Sequence, residues 1–134
     1  MQKIKINFLV LIWLLLVFTS CESIPTLPQK PNLINKDDNE SLVLDEAELF
    51  RYSTSLNVWL LTVKAYANKH YANEKFPTFE NFDTVFSNAN ANANTNTNEI
   101  EITNMLKNRI KHYKHYISKT EPIVFECYKK YSKR

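Results

Sequence analysis

Residues 45–72, DEAELFRYSTSLNVWLLTVKAYANKHYA, decide the fold of this 134-residue chain. Within them Leu49, Tyr52, Leu56, Trp59, Val63, Tyr66 and His70 recur at alternating steps of three and four. That spacing puts all seven on one face of a helix, as a heptad seam that Leu60 and Ala67 broaden. Asp45, with Glu48 three places on, has the spacing of a helix-start cap, so a helix is predicted over 45–72. So aromatic a seam has to be covered, either by another helix of this chain or by a partner. Leu49, Tyr52, Leu56, Trp59, Val63 and Tyr66 are therefore candidate core and candidate partner interface at once.

Downstream, Phe76, Phe79, Phe82 and Phe86 surround Pro77 at steps of three, three and four. One or two short helical turns there would lay phenylalanines over the first seam. Residues 88–98 alternate Asn with Ala and then with Thr, a low-complexity loop. A second long helix is predicted over 99–119, with Ile102, Leu106, Ile110, Tyr113 and Ile117 in one arc and Met105 and Tyr116 at its edge. Glu121-Pro122 is expected to break it, because proline has no N–H to give a helix interior and sits well in a first turn. A last helix over 122–132 would bury Val124, Cys127 or Tyr128, and Tyr131. The chain contains no glycine, which argues against phosphate-cradling loops and against two-residue hairpins. The expected fold is all-α, a small antiparallel bundle of two long helices plus short ones.

Upstream, Lys3 and Lys5 precede an apolar run from Phe8 to Phe18, and Phe18-Thr19-Ser20-Cys21 follows. A charged start, an apolar stretch and small residues before the break describe an export signal rather than mature structure. With cysteine at its end, the segment resembles the lipobox signal of bacterial lipoproteins, although Phe18 stands where that family usually has leucine. The resemblance implies cleavage between Ser20 and Cys21, diacylglycerol on the Cys21 thiol and acylation of the new amino end. The alternative is an uncleaved anchor, but Ile4 to Phe18 falls short of the ~20 residues that span a bilayer. Three divisions follow: a signal peptide over 1–20, the lipidated Cys21 with a flexible Pro-containing tether over 21–43, and a helical domain over 44–134. Pro25, Pro28 and Pro31 favour an extended path that would lift the domain off the membrane.

Removing 1–20 leaves 114 residues, enough for one small domain. Residues 22–98 carry six basic and ten acidic side chains, whereas 99–134 carry nine and four. A basic C-terminal part on an exported chain suits anionic headgroups, acidic envelope polymers or an acidic partner better than nucleic acid, although a solvated helix face explains it as well. With Cys21 lipidated, Cys127 is left over, either for an intermolecular disulfide or as a small buried hydrophobe. His112 and His115 lack the third and fourth ligands a zinc shell needs, and Lys111 and Lys114 would repel a cation. No serine has a nucleophile-elbow context, and Cys127 has no visible orienting base. No enzyme activity, metal or cofactor is expected.

The function expected is that of a small non-enzymatic envelope lipoprotein, moored at the outer membrane on its periplasmic side and docking a protein partner through its helices. Glu22 after the acylated cysteine favours outer-membrane delivery, with the inner membrane as the alternative. A second copy of the chain is one candidate partner. The segment Cys21-Glu22-Ser23-Ile24-Pro25-Thr26-Leu27-Pro28-Gln29-Lys30-Pro31, leading to Leu49-Phe50-Arg51-Tyr52, also resembles the outer-membrane spanin lipoproteins of tailed phages. That resemblance covers about residues 1–66 and implies a role in host lysis by membrane fusion with an inner-membrane coiled-coil partner. It would also allow an intermolecular disulfide through Cys127.

Overall fold

The computed structural model describes residues 23–90 and 98–133. Those residues form an extended N-terminal strap followed by three helices: α1 (Asn39–His70), α2 (Phe82–Asn90) and α3 (Glu99–Tyr131). The expected signal peptide over 1–20, Cys21, and positions 91–97 of the Asn-rich tract lie outside the described residues. The tract's first three positions, 88–90, belong to α2 rather than to a loop.

The all-α bundle is as expected, and its directions follow from which residues meet. Thr103 Oγ1 donates to Asn39 Oδ1 (2.6 Å), Tyr113 OH to Glu46 Oε1 (3.2 Å) and Tyr52 OH to Glu121 Oε1 (2.5 Å). At the far end the Tyr71 and Tyr131 rings lie 5.6 Å apart, and Lys130 Nζ is 2.7 Å from Glu74 Oε2. Rising numbers in α1 therefore meet rising numbers in α3, so the two long helices run parallel and not antiparallel as expected, the long connection between them allowing the chain to return before α3 begins. The short α2 is the antiparallel member. Its first residue, Phe82, sits beside Asn57 and Tyr116, and Phe86 one turn later sits on Phe50. The order is up, down, up, with most of the return from His70 made by extended chain over 75–81.

Two boundaries differ from expectation for physical reasons. Helix α1 starts six residues before Asp45, because Asp38 is the cap and accepts the Ser41 N–H at 2.9 Å and its hydroxyl at 2.8 Å. Ser41 also holds the Asp38 carboxyl below its usual range. Leu42 then extends the seam one turn earlier, buried at 5% exposure. Helix α3 does not break at Pro122 but continues through it to Tyr131. Its buried positions Tyr113, Tyr116, Thr120, Val124, Cys127 and Tyr131 keep one phase across the proline. Burying several such residues, each worth about 1.5–3 kcal/mol, outweighs the roughly 3 kcal/mol cost of an interior proline. At its start α3 carries a full capping box, with Asn98 and Glu101 bonding each other's backbone N–H.

The core has two halves. Tyr52, Leu56, Trp59, Leu60, Val63 and Ala67 meet Phe76, Val124, Cys127 and Tyr131 in one, while Leu42, Leu49, Phe82, Val85, Leu106, Ile110, Tyr113 and Tyr116 form the other. Phe76 and Phe79 cover the seam from extended chain; of the expected helix over 76–87 only the part from Phe82 is helical. Ile102, expected in the seam, is 38% exposed, and Tyr116, expected at its edge, is fully inside.

Candidate functional site

The N-terminal strap is the first departure from a loose tether. From Ile24 onward it lies along α1, antiparallel to it. Ile24 and Leu27 pack on the first core half and Leu33 on the second. Trp59 Nε1 donates to the Pro25 carbonyl at 3.0 Å, and Lys30 Nζ lies 3.3 Å from Glu121 Oε1 and over the Phe125 ring. Proline fixes the extended backbone here and leaves carbonyls free to accept, which suits a strap laid on a helix. Ile34 N and Asn35 N then donate to the two carboxylate oxygens of Asp45 at 2.6 and 2.9 Å. Asn35 takes the left-handed turn at φ 56° in a chain that has no glycine to offer. Asp45 is thus buried to receive the strap and does not cap a helix.

The candidate partner interface is largely internal. Leu49, Tyr52, Leu56, Trp59 and Val63 are all buried against α3, α2 and the strap, and only Tyr66 is half-buried, with its ring 4.5 Å from that of His70. These buried side chains are committed to the chain's own core. The exposed large apolar residues of α1 lie on its other side, at Val43, Leu44, Phe50, Val58 and Leu61. Beside them a shallow groove of about 340 Å³ runs between Pro25, Thr26 and Pro28 of the strap and Thr54, Ser55, Val58 and Thr62 of α1.

Cys127 is the buried hydrophobe of the two alternatives, 1% exposed among the first core half. Burial, reinforced by Glu126, pushes its thiol up to about 11. A buried, protonated thiol is not poised for exchange, so an intermolecular disulfide does not fit the folded chain. His112 and His115 remain on the surface side of α3, and among the described residues no group of three or more His, Cys, Asp and Glu is placed to hold a metal. Among the same residues no helix is long and apolar enough to cross a membrane.

Sequence reasoning missed the polar ties inside the bundle. Tyr113 is pushed up to about 12 by burial and by the Glu46 carboxylate that accepts its hydrogen bond, and Tyr116 to about 12 mainly by burial. Tyr52 is raised further, by burial and by its bond to Glu121. Asn57 Oδ1 accepts both from Tyr116 OH and from Phe82 N, pinning the start of α2 between the long helices.

Parallel helices also sort the charge. Residues 36–48 and 98–109, at one end, hold eight carboxylates against three cations. Residues 64–75 and 126–133, at the other, hold six lysines against two glutamates. Both helix N-termini meet at the acidic pole and both C-termini at the basic pole, so the side chains offset two aligned helix dipoles.

These features define a small helical rod whose chemistry is laid out on its surface, at two charged poles and along an apolar groove. The chain belongs to the Borrelia orf-D family, whose profile matches residues 26–133. It is 32% identical over 133 residues, 99% of this chain and 98% of the relative, to the outer membrane lipoprotein BBA14 of Borreliella burgdorferi. No solved structure matches it. The spanin resemblance finds no support in these comparisons, and the Pro-containing stretch that carried it is packed on the bundle.

Proposed function

We propose that this chain is a non-enzymatic envelope lipoprotein, anchored through acylated Cys21 at the outer membrane on its periplasmic side. Its helical body serves as a docking element for a protein partner. The observation that carries the reading is near-full-length similarity to an outer membrane lipoprotein, in a chain whose Cys21 follows an export-type leader. Feeding cells a palmitate analogue should label the native chain and not Cys21→Ser, and only the native chain should partition with detergent. A native chain that starts at Met1 and stays unlabelled would overturn it. Membrane fractionation distinguishes the outer from the inner membrane, and protease treatment of intact cells tests the periplasmic orientation.

The partner surface suggested by the structure is the exposed face of α1, where Val58 is 55% and Leu61 47% exposed. A photo-crosslinker at Leu61 should give a discrete adduct in cells that Val58→Glu removes while leaving the melting temperature unchanged. A crosslinker at Lys114, exposed on α3, should not give that adduct. Equal adducts from both positions would refute a localised face.

A further inference from the structure

We propose that the basic pole of the rod is a membrane-apposed surface that contacts anionic lipid headgroups. The proposal rests on the lipid anchor at Cys21 for its geometry, and on the fold for its chemistry. Because the strap is packed along α1 rather than free, its first described residue fixes where the anchor emerges. Ser23, Ile24 and Pro25 line a groove with Thr62, Ala65, Tyr66 and Lys69, in the last turns of α1. Cys21 is two residues away, a reach of at most about 7 Å. A lipid attached there brings the C-terminal ends of α1 and α3, and not the acidic ends, against the bilayer.

That pole has the composition such a position needs. Lys75, Lys129 and Lys133 are exposed. Lys130 is shared between Glu74 and the Tyr131 ring. Tyr66, Tyr71 and Tyr128 are half-buried around them, and rings with one apolar and one wet end suit a headgroup layer. Acidic Asp37, Asp38, Glu40, Glu99 and Glu101 are carried on the distal pole, away from an anionic surface that would repel them. With the acylated Cys21 holding the chain at the bilayer, a basic pole beside it adds electrostatic attraction to anionic lipid.

The test uses the mature chain with Cys21→Ser, so that binding is not dominated by lipid insertion. Co-sedimentation is measured with vesicles of phosphatidylglycerol mixed into phosphatidylcholine, and with phosphatidylcholine alone. The chain should bind the anionic vesicles selectively and release as salt is raised. Lys75→Glu/Lys129→Glu/Lys133→Glu should lower partitioning at least about 100-fold, since losing each lysine near such a surface costs about fivefold before repulsion by the new glutamates is added. Lys111→Glu/Lys114→Glu/Lys119→Glu changes net charge equally, on exposed residues along the middle of α3, and should change binding less than about threefold by the same rule of proximity. Circular dichroism of both triples confirms folding. Equal losses from both triples, or no preference for anionic vesicles, would overturn the proposal. Labelling of Cys21 in cells is scored separately. A labelled Cys21 with an indifferent pole defeats this inference alone, and an unlabelled Cys21 with a binding pole defeats the anchor alone.

Discussion

Replacing Pro122 by alanine should make the chain more stable. Pro122 lies inside α3 and is exposed, so its ring contributes no core packing. Lacking an N–H, it leaves the Ser118 carbonyl without its helical donor, and its ring crowds that carbonyl. Relative to alanine the cost in a helix interior is about 3 kcal/mol. Alanine also frees the unfolded chain, which returns up to about 1 kcal/mol. A net gain of about 2–3 kcal/mol remains, equivalent to roughly 10–20 °C in melting temperature for a domain of this size. The Tyr52–Glu121 bond and the burial of Val124 flank the site and are untouched by the change. Thermal unfolding followed by far-ultraviolet circular dichroism, checked by urea titration, reads the effect. Pro122→Gly serves as an internal scale and should gain about 1 kcal/mol less than alanine. If α3 were two helices hinged at Glu121, Pro122 would occupy a favourable first-turn position, and alanine would leave the melting temperature equal or lower. That result would refute the continuous helix.

Three further outcomes are expected. Asp45→Ala strands the Ile34 and Asn35 N–H groups and should cost about 1–3 kcal/mol in urea unfolding, with strap cleavage by protease accelerated; unchanged protease sensitivity would show that the strap is held otherwise. Cys127 should resist alkylation by maleimide in the native chain and react on denaturation, and rapid native labelling would contradict its burial. Tyr113 and Tyr116 ionise near 10 in the unfolded chain but near 12 when folded, so between those values the folded chain holds more protons. Their contribution is intact below pH 10 and should be lost above it, by about 1.4 kcal/mol per tyrosine per pH unit. Tyrosinate absorbance and helicity should change together in that window, and ionisation without loss of helix would refute the link.

What could be seen in the sequence was the seam. Leu49 to Val63 repeat over enough turns that no other periodicity competes, and their burial follows. The helix start was hidden because Asp37-Asp38-Asn39 looks like tether composition, while Asp45, a carboxylate at a seam position, looks like a cap. Only the strap, sixteen described residues of proline-punctuated chain laid back along α1, explains why a carboxylate belongs there. Pro122 misled through local propensity, which tertiary packing overrode, although the unbroken phase from Tyr113 to Tyr131 carried the answer. Helix direction was not legible. The 28 residues between His70 and Glu99 are ample to recross a helix of about 48 Å at 1.5 Å per residue, and a long connection permits either direction. The sequence showed an acidic first part and a basic last part; the parallel packing turns this into two ends of one rod.

The parallel arrangement also dictates an order of events during biogenesis. Every tie across the long helices joins residues roughly sixty or more apart, such as Asn57 with Tyr116 and Tyr52 with Glu121. As the chain is made from its N-terminus, α1 is complete before α3, and its aromatic seam lacks that cover until α3 has followed in full. Contacts this distant close slowly, and the uncovered intermediate is the species prone to aggregate. A chain with this topology keeps apolar surface uncovered until its last turn is delivered, an exposure that an adjacent-helix hairpin of equal length would shorten.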